Sequence, residues 1–209
     1  MLLPRTCPLC HRPGAAPCPA CAATLEPAPG LPAPAGVDAC LAVLCYDGAG
    51  RELVARLKYR NARSAVAWLA ARMAGLVERR PLDAVTWVPT TRARRSERGF
   101  DQAEVLARAI AARLRRPCLG LLRHEPGMPQ TGQSARARLG GPALVPARRF
   151  RARPAPRRVL VVDDVVTTGS TLRVAAAQLR RVGVSEVIAV AAARTPLKRA
   201  DGRPDTQEQ

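Results

Sequence analysis

Aromatic residues are almost missing from this 209-residue chain, which has two Trp, two Tyr and two Phe. Proteins that hold single-stranded nucleic acid stack its bases on exposed aromatic rings. A set limited to Trp68, Trp87, Tyr46, Tyr59, Phe100 and Phe150 gives such a function little to work with. No apolar run approaches the roughly 20 residues that span a bilayer, and Met1 to Arg5 does not lead into the apolar core of a secretory signal. A cytoplasmic protein is therefore expected. Lysine is scarce too: of 34 basic residues only Lys58 and Lys198 are lysines, so the net charge of +18 is carried by arginine. That pattern fits compositional bias as well as function, although a basic surface also attracts phosphate backbones through counterion release.

One stretch is dense in chemistry: Val159-Leu-Val-Val-Asp163-Asp164-Val-Val-Thr167-Thr168-Gly169-Ser170-Thr171. Val159 to Val162 form a short, continuously apolar run, as in a parallel strand covered on both faces. Leu172, Ala175, Ala176 and Leu179 then recur at helical spacing, with Gly183 as a stop. Strand, turn and helix meet where the first helical N–H groups lack partners and the helix dipole welcomes an anion. Gly169 allows close backbone approach, and Thr167, Thr168, Ser170 and Thr171 add hydroxyl donors, making a phosphate cradle. Two acids beside an anion would repel it, so Asp163 and Asp164 suit neutral hydroxyls such as those of a ribose. The loop lacks the lysine of Gly-x4-Gly-Lys-Ser/Thr, and Gly-x-Gly-x-x-Gly is absent, so triphosphate and dinucleotide readings weaken. The plainer alternative is a strand-to-helix turn whose acids merely cap the helix, but capping needs only one such side chain.

Cys7-Pro-Leu-Cys10 and Cys18-Pro-Ala-Cys21 supply four thiols in two Cys-x2-Cys knuckles. This is zinc spacing, and tetrahedral Zn²⁺ takes four sulfur ligands. A segment this short and proline-rich has too little apolar surface to fold without a metal. Disulfides suit a secreted chain better. His11 is a spare candidate ligand, while Cys40, Cys45 and Cys118 sit in apolar settings and read as core.

The layout follows. Residues 1–26 form the four-cysteine module, 27–36 a Pro/Ala-rich linker expected to be extended and semi-rigid, 37–194 the main domain and 195–209 a disordered tail. Strands are predicted over 40–46, 84–89, 158–163 and 185–193, and helices over 50–60, 62–79, 101–114 and 171–182. Such alternation predicts a parallel α/β sheet with its ligand beyond the carboxyl ends of the strands.

Between Trp87 and Gln102 lies an arginine-rich loop with Arg92, Arg94, Arg95 and Arg98, expected as a mobile cationic arm. Its guanidinium forks match pyrophosphate oxygens, though a solvated basic loop is the plainer reading. Asp101 and Glu104 resemble a capping box that starts the next helix.

Residues 159–171 resemble the 5-phosphoribosyl-1-pyrophosphate (PRPP) signature of type I phosphoribosyltransferases, whose acids bind the ribose hydroxyls and whose loop binds the 5′-phosphate. The wider pattern resembles the ComF/GntX family of cytoplasmic proteins often associated with DNA uptake. It comprises the two knuckles, Leu57-Lys58-Tyr59, Val88-Pro89, Arg95-Ser-Glu-Arg98-Gly99-Phe100-Asp101-Gln102 and Gln130. Thr90-Thr91 and Asp101 depart from that pattern, which has Val-Pro and asparagine there. The resemblance implies a type I phosphoribosyltransferase-like α/β domain behind a zinc module with four cysteine ligands, binding PRPP with Mg²⁺ and transferring its phosphoribosyl group to an acceptor. Catalysis would be largely electrostatic, with Lys58, Arg95 and Arg98 stabilising the departing pyrophosphate and Asp163 and Asp164 holding the ribose. No general base is legible. The competing reading is a non-catalytic protein that senses PRPP and binds single-stranded DNA or DNA-processing proteins.

Overall fold

The computed structural model describes residues 6–57, 65–125, 144–147 and 155–196. Its centre is β5 (Arg158–Val166), whose β-branched residues Val159, Val161 and Val162 are fully buried with Leu160. On one side β5 pairs with β6 (Glu186–Arg194), which pairs in turn with β1 (Ala39–Cys45). On the other it pairs with β2 (Ala84–Trp87), and the sheet β1-β6-β5-β2 is parallel throughout.

Successive strand residues face opposite sides of a sheet, and here both sides are covered. Leu160 and Val162 join Val85, Ile188 and Val190 beneath α2 (Gly48–Arg56), α3 (Val66–Gly75) and α5 (Gln102–Leu114). Val159 and Val161 join Val187 and Ala189 beneath α6 (Ser170–Arg180) and the antiparallel pair β3 (Leu122–His124) and β4 (Leu144–Pro146). Two-sided burial is why the strand is a continuous apolar run instead of an alternating one. Alanines at 70, 74, 107 and 111 let α3 and α5 approach closely, while Leu69, Met73, Leu106 and Ile110 fill the seam.

The four expected strands and four expected helices are all present, with shifted ends. β5 runs beyond residue 163 because β6 is equally long and still offers Ala193 to Val165 and Arg194 to Val166. Asp163 and Asp164 are therefore held in a strand. α2 begins at Gly48, where Asp47 accepts the Gly48 N–H at 2.8 Å. The expected ends at 58–60 and 62–64 lie outside the described residues. The cationic arm is a correction: Arg92–Arg98 form a helix, α4. Thr91 caps it by accepting the Arg94 N–H at 3.4 Å, and Gly99 ends it in the left-handed conformation at φ 74°. The one-turn α1 (Pro19–Ala22) and the β3–β4 pair were not expected from sequence.

The linker, expected to be extended and semi-rigid, is hydrogen-bonded to the main domain. The Cys45 N–H donates to the Glu26 carbonyl at 2.9 Å and the Ala28 N–H to Val43 at 3.1 Å, laying the segment along β1. Proline-rich chain leaves carbonyls without ladder partners. Arg194, only 7% exposed, fills that role by donating to the Leu31 and Pro32 carbonyls at 2.9 and 2.6 Å. Thr195 still bonds to Val166, and 197–209 lie outside the described residues. Among the described residues, no helix is long and apolar enough to cross a membrane.

Candidate functional site

A cleft of about 390 Å³ opens at the carboxyl ends of β2 and β5. Its floor is Asp163, Asp164 and Val165 of β5; Thr167 and Thr171 border it at the start of α6. Facing them are Pro89 to Thr91, Arg94 and Arg98 of α4, Asp101 to Ala103, His124 of β3 and Tyr46. One cavity therefore holds paired acids, a hydroxyl turn and two guanidinium groups.

Asp163 is 9% exposed. Burial, reinforced by the neighbouring Asp164 carboxylate, pushes its carboxyl well above the usual range, although it accepts the Asp164 N–H at 2.8 Å. Asp164 is more open and accepts the Val165 N–H at 2.8 Å. Each acid thus keeps lone pairs for a ligand hydroxyl, and a ligand able to donate two hydroxyls would relieve the cost of burying them.

Past the strand, the chain turns through Gly169 at φ 72° into α6, with no side-chain cap on the helix. A Cβ at Gly169 would run into the Pro34 ring, with Pro34 Cβ 2.9 Å away. The linker therefore packs on the back of this turn. Thr168 Oγ1 donates to Ser170 Oγ at 3.2 Å and accepts the Ser170 N–H at 3.4 Å, which folds the hydroxyl loop onto itself.

The arginines divide by helical geometry. Arg94 and Arg98, four apart, share a face of α4 and line the cleft. Arg95 lies off that face, is mostly exposed, and pairs with Glu104 of α5 at 3.4 Å. Arg98 also donates to Gln102 Oε1 at 3.3 Å, while Gln102 Nε2 is buried without a partner among the described residues. Asp101 has two structural duties, accepting Thr90 N–H at 2.8 Å and Glu104 N–H at 3.3 Å. Burial raises its carboxyl above the usual range, against the lowering effect of those two donors.

Of the residues singled out in the sequence, Asp163, Asp164, Thr167, Thr171 and Arg98 meet in one cleft. Thr168, Gly169 and Ser170 shape the turn without lining it, and Arg95 points elsewhere. Lys58 and Gln130 lie outside the described residues. Arg94, named in the arginine-rich loop but not given the leaving-group role, also lines the cleft, and His124 was missed. Thr91 and Gly99 carry the capping signals that identify α4 as a helix and would have put Arg94 beside Arg98; nothing in sequence marks His124.

At the other end, the sulfurs of Cys7, Cys10, Cys18 and Cys21 all lie within 4.8 Å of one another, with Cys10 and Cys18 at 3.6 Å. A tetrahedral site with Zn–S bonds of about 2.3 Å needs sulfurs about 3.8 Å apart, so the set fits zinc. Burial raises the Cys7 thiol, but N–H groups of Cys18, Cys10 and Leu9 outweigh it and bring Cys7 down to about 6. Cys21, crowded by Cys10 and Cys18, is pushed up to about 12. Such thiols exchange their protons for a cation. His11 is not in the set; its Nε2 accepts from Arg56 of α2 at 2.9 Å. Leu9 and Leu25 carry the module onto the main core.

Comparison with known proteins agrees with the geometry. Residues 101–206 match the phosphoribosyl transferase domain, and the chain belongs to that family. It is also similar to Competence protein F of Haemophilus influenzae, with 32% identity over 145 residues covering 65% of this chain and 63% of that protein. The chain thus spans less than two thirds of that relative. Together with the cluster of four cysteines, these matches bear out the ComF/GntX-like resemblance and the α/β fold. Among solved structures, it is similar to a B. subtilis glutamine PRPP amidotransferase complexed with ADP and GMP (22% identity, TM-score 0.49, 70% of this chain and 32% of that one). It is likewise similar to a Pyrococcus horikoshii purine phosphoribosyltransferase (17% identity, TM-score 0.42, 62% and 83%).

Proposed function

We propose that the cleft binds PRPP with Mg²⁺ and transfers its phosphoribosyl group to an acceptor nucleophile. The observation that carries this reading is that one cavity joins Asp163 and Asp164 to Thr167 and Thr171 on one side and to Arg94 and Arg98 on the other. The acids accept the ribose 2′- and 3′-hydroxyls, and the 167–171 turn takes the 5′-phosphate at the start of α6. Arg94, Arg98 and Lys58 meet the pyrophosphate, whose departure leaves positive charge on the sugar. Arg95, paired with Glu104, steadies α4 against α5 in place of the leaving-group role that the sequence suggested for it. The carboxylates and the ligand's phosphates are hard oxygen donors of the kind Mg²⁺ takes. When bound, that ion supplies charge neutralisation to the departing pyrophosphate. The likeness to Competence protein F supports a place for this activity in competence; DNA uptake and a cytoplasmic setting are what the ComF/GntX resemblance implies.

Calorimetric titration with PRPP and MgCl₂, run beside an Asp163→Ala, Asp164→Ala double variant, tests the reading. Binding by the parent and none by a folded variant is expected. No binding by the folded, zinc-loaded parent would sink it and favour a DNA- or partner-binding role. Binding without pyrophosphate release to any acceptor would reduce the protein to a PRPP sensor.

A further inference from the structure

A transferase that joins a neutral nucleophile to ribose must dispose of a proton, and the sequence names no group to take it. We propose that His124 is that group, with Nδ1 accepting the proton of the incoming nucleophile. This rests on the transferase reading above.

His124 closes β3 and lines the cleft together with Asp163 and Asp164. Its Nε2 stands 2.9 Å from the Pro89 carbonyl oxygen. A carbonyl oxygen only accepts, so Nε2 carries the hydrogen. Neutral imidazole has a single N–H, which leaves Nδ1 with a bare lone pair. No described residue donates to it.

The other cleft groups are committed or unsuited. Asp101 uses its two oxygens on the N–H groups of Thr90 and Glu104. Asp163 and Asp164 accept backbone N–H groups and are assigned to the ribose hydroxyls in the reading above. Arg94 and Arg98 are cations without a lone pair to offer. His124 is also anchored on the 88–91 segment that links β2 to α4, so its ring is positioned from the strand that borders β5.

The step balances without any added reagent. The ribose C1–O bond to pyrophosphate breaks, and its electron pair leaves with pyrophosphate. The nucleophile's lone pair forms the new bond to C1, its proton moves to Nδ1, and the resulting imidazolium returns that proton to water.

The experiment compares nucleophiles that do and do not carry a proton. His124→Gln retains an N–H for the Pro89 carbonyl but has no base. With PRPP and MgCl₂, pyrophosphate release would be followed with hydroxylamine and, separately, with azide, which has no proton to give up. Expected for the variant are unchanged PRPP binding by calorimetry, a loss of about a hundredfold or more with hydroxylamine, and azide transfer within about threefold of the parent. Equal losses with both nucleophiles, or no loss with either, would overturn the role. So would a parent that binds PRPP and releases pyrophosphate to neither, which leaves the binding reading standing. A parent that binds no PRPP overturns that reading itself. His124→Asn carries the same expectations if the glutamine variant does not fold.

Discussion

Replacing Gly169 by alanine probes the contact between the 167–171 turn and the linker, and its two costs can be separated. The residue sits at φ 72°, where an L side chain is strained by about 1–2 kcal/mol. The added Cβ also meets the Pro34 ring, whose own Cβ is 2.9 Å away. A proline ring cannot rotate aside, so overpacking adds about 1–3 kcal/mol. The sum, about 2–5 kcal/mol, corresponds to a fall in Tm of roughly 4–20 °C for a chain of this size. Gly169→Ala, Pro34→Gly and the double variant form a cycle read by urea unfolding. The steric share should be recovered in the double variant, giving a favourable coupling of about 1–3 kcal/mol, while the backbone strain persists. Additive effects, within about 0.5 kcal/mol, would show that Pro34 does not sit on the turn in solution.

Three further outcomes are expected. Because burial and Asp164 raise the Asp163 carboxyl, its folded-state proton is held more tightly than in the unfolded chain; the stability it contributes is full below the ordinary carboxylate range and is lost as pH rises through the raised value. Asp163→Asn should therefore match the parent's Tm at pH 4, exceed it at pH 8 and lose PRPP binding; a pH-independent difference would refute the buried-charge account. Arg98→Ala should weaken PRPP binding roughly ten- to a hundredfold, the worth of a charge-assisted bond to pyrophosphate, whereas Arg95→Ala should change it by less than about threefold because its exposed pair with Glu104 contributes under about 1 kcal/mol. Equal losses would return Arg95 to the leaving-group site. The purified chain should carry one zinc by elemental analysis, and stripping it with a chelator should lower the Tm of the whole protein, since Leu9 and Leu25 pack on the main core; an unchanged Tm would mean that the module is independent.

The sheet was legible because its signals are local. Val159 to Val162, the Asp pair and the hydroxyl turn follow one another in the chain, so adjacency in sequence is adjacency in the site. The knuckles were legible for the same reason. What escaped depended on partners far away. Arg94 and Arg95 are equivalent in composition, and only the helical pitch of α4, with Glu104 waiting on α5, assigns one to the cleft and the other to an ion pair. His124 acquires its meaning from the Pro89 carbonyl, 35 residues earlier. The linker looked like a spacer because its prolines lack periodicity, while the residue that holds it, Arg194, lies more than 160 positions later.

That long-range bond bears on why the two halves of the chain share one structure. The four-cysteine module fixes where the linker starts, through Glu26 and Ala28 on the β1 edge. Arg194, at the end of β6, then holds the Leu31 and Pro32 carbonyls, and two residues later the Pro34 ring reaches the underside of Gly169. A buried guanidinium satisfied only by carbonyls, with its Nε unpartnered among the described residues, is a costly way to tether a loop. The arrangement is intelligible if the turn beneath the 5′-phosphate needs support from behind. A glycine in the left-handed region leaves that turn soft, and the proline ring narrows the conformations open to it before any ligand arrives. A preorganised anion cradle forfeits less ordering entropy on binding; on the proposed reading the knuckle module would contribute to the phosphate site through the linker it anchors, without touching the ligand.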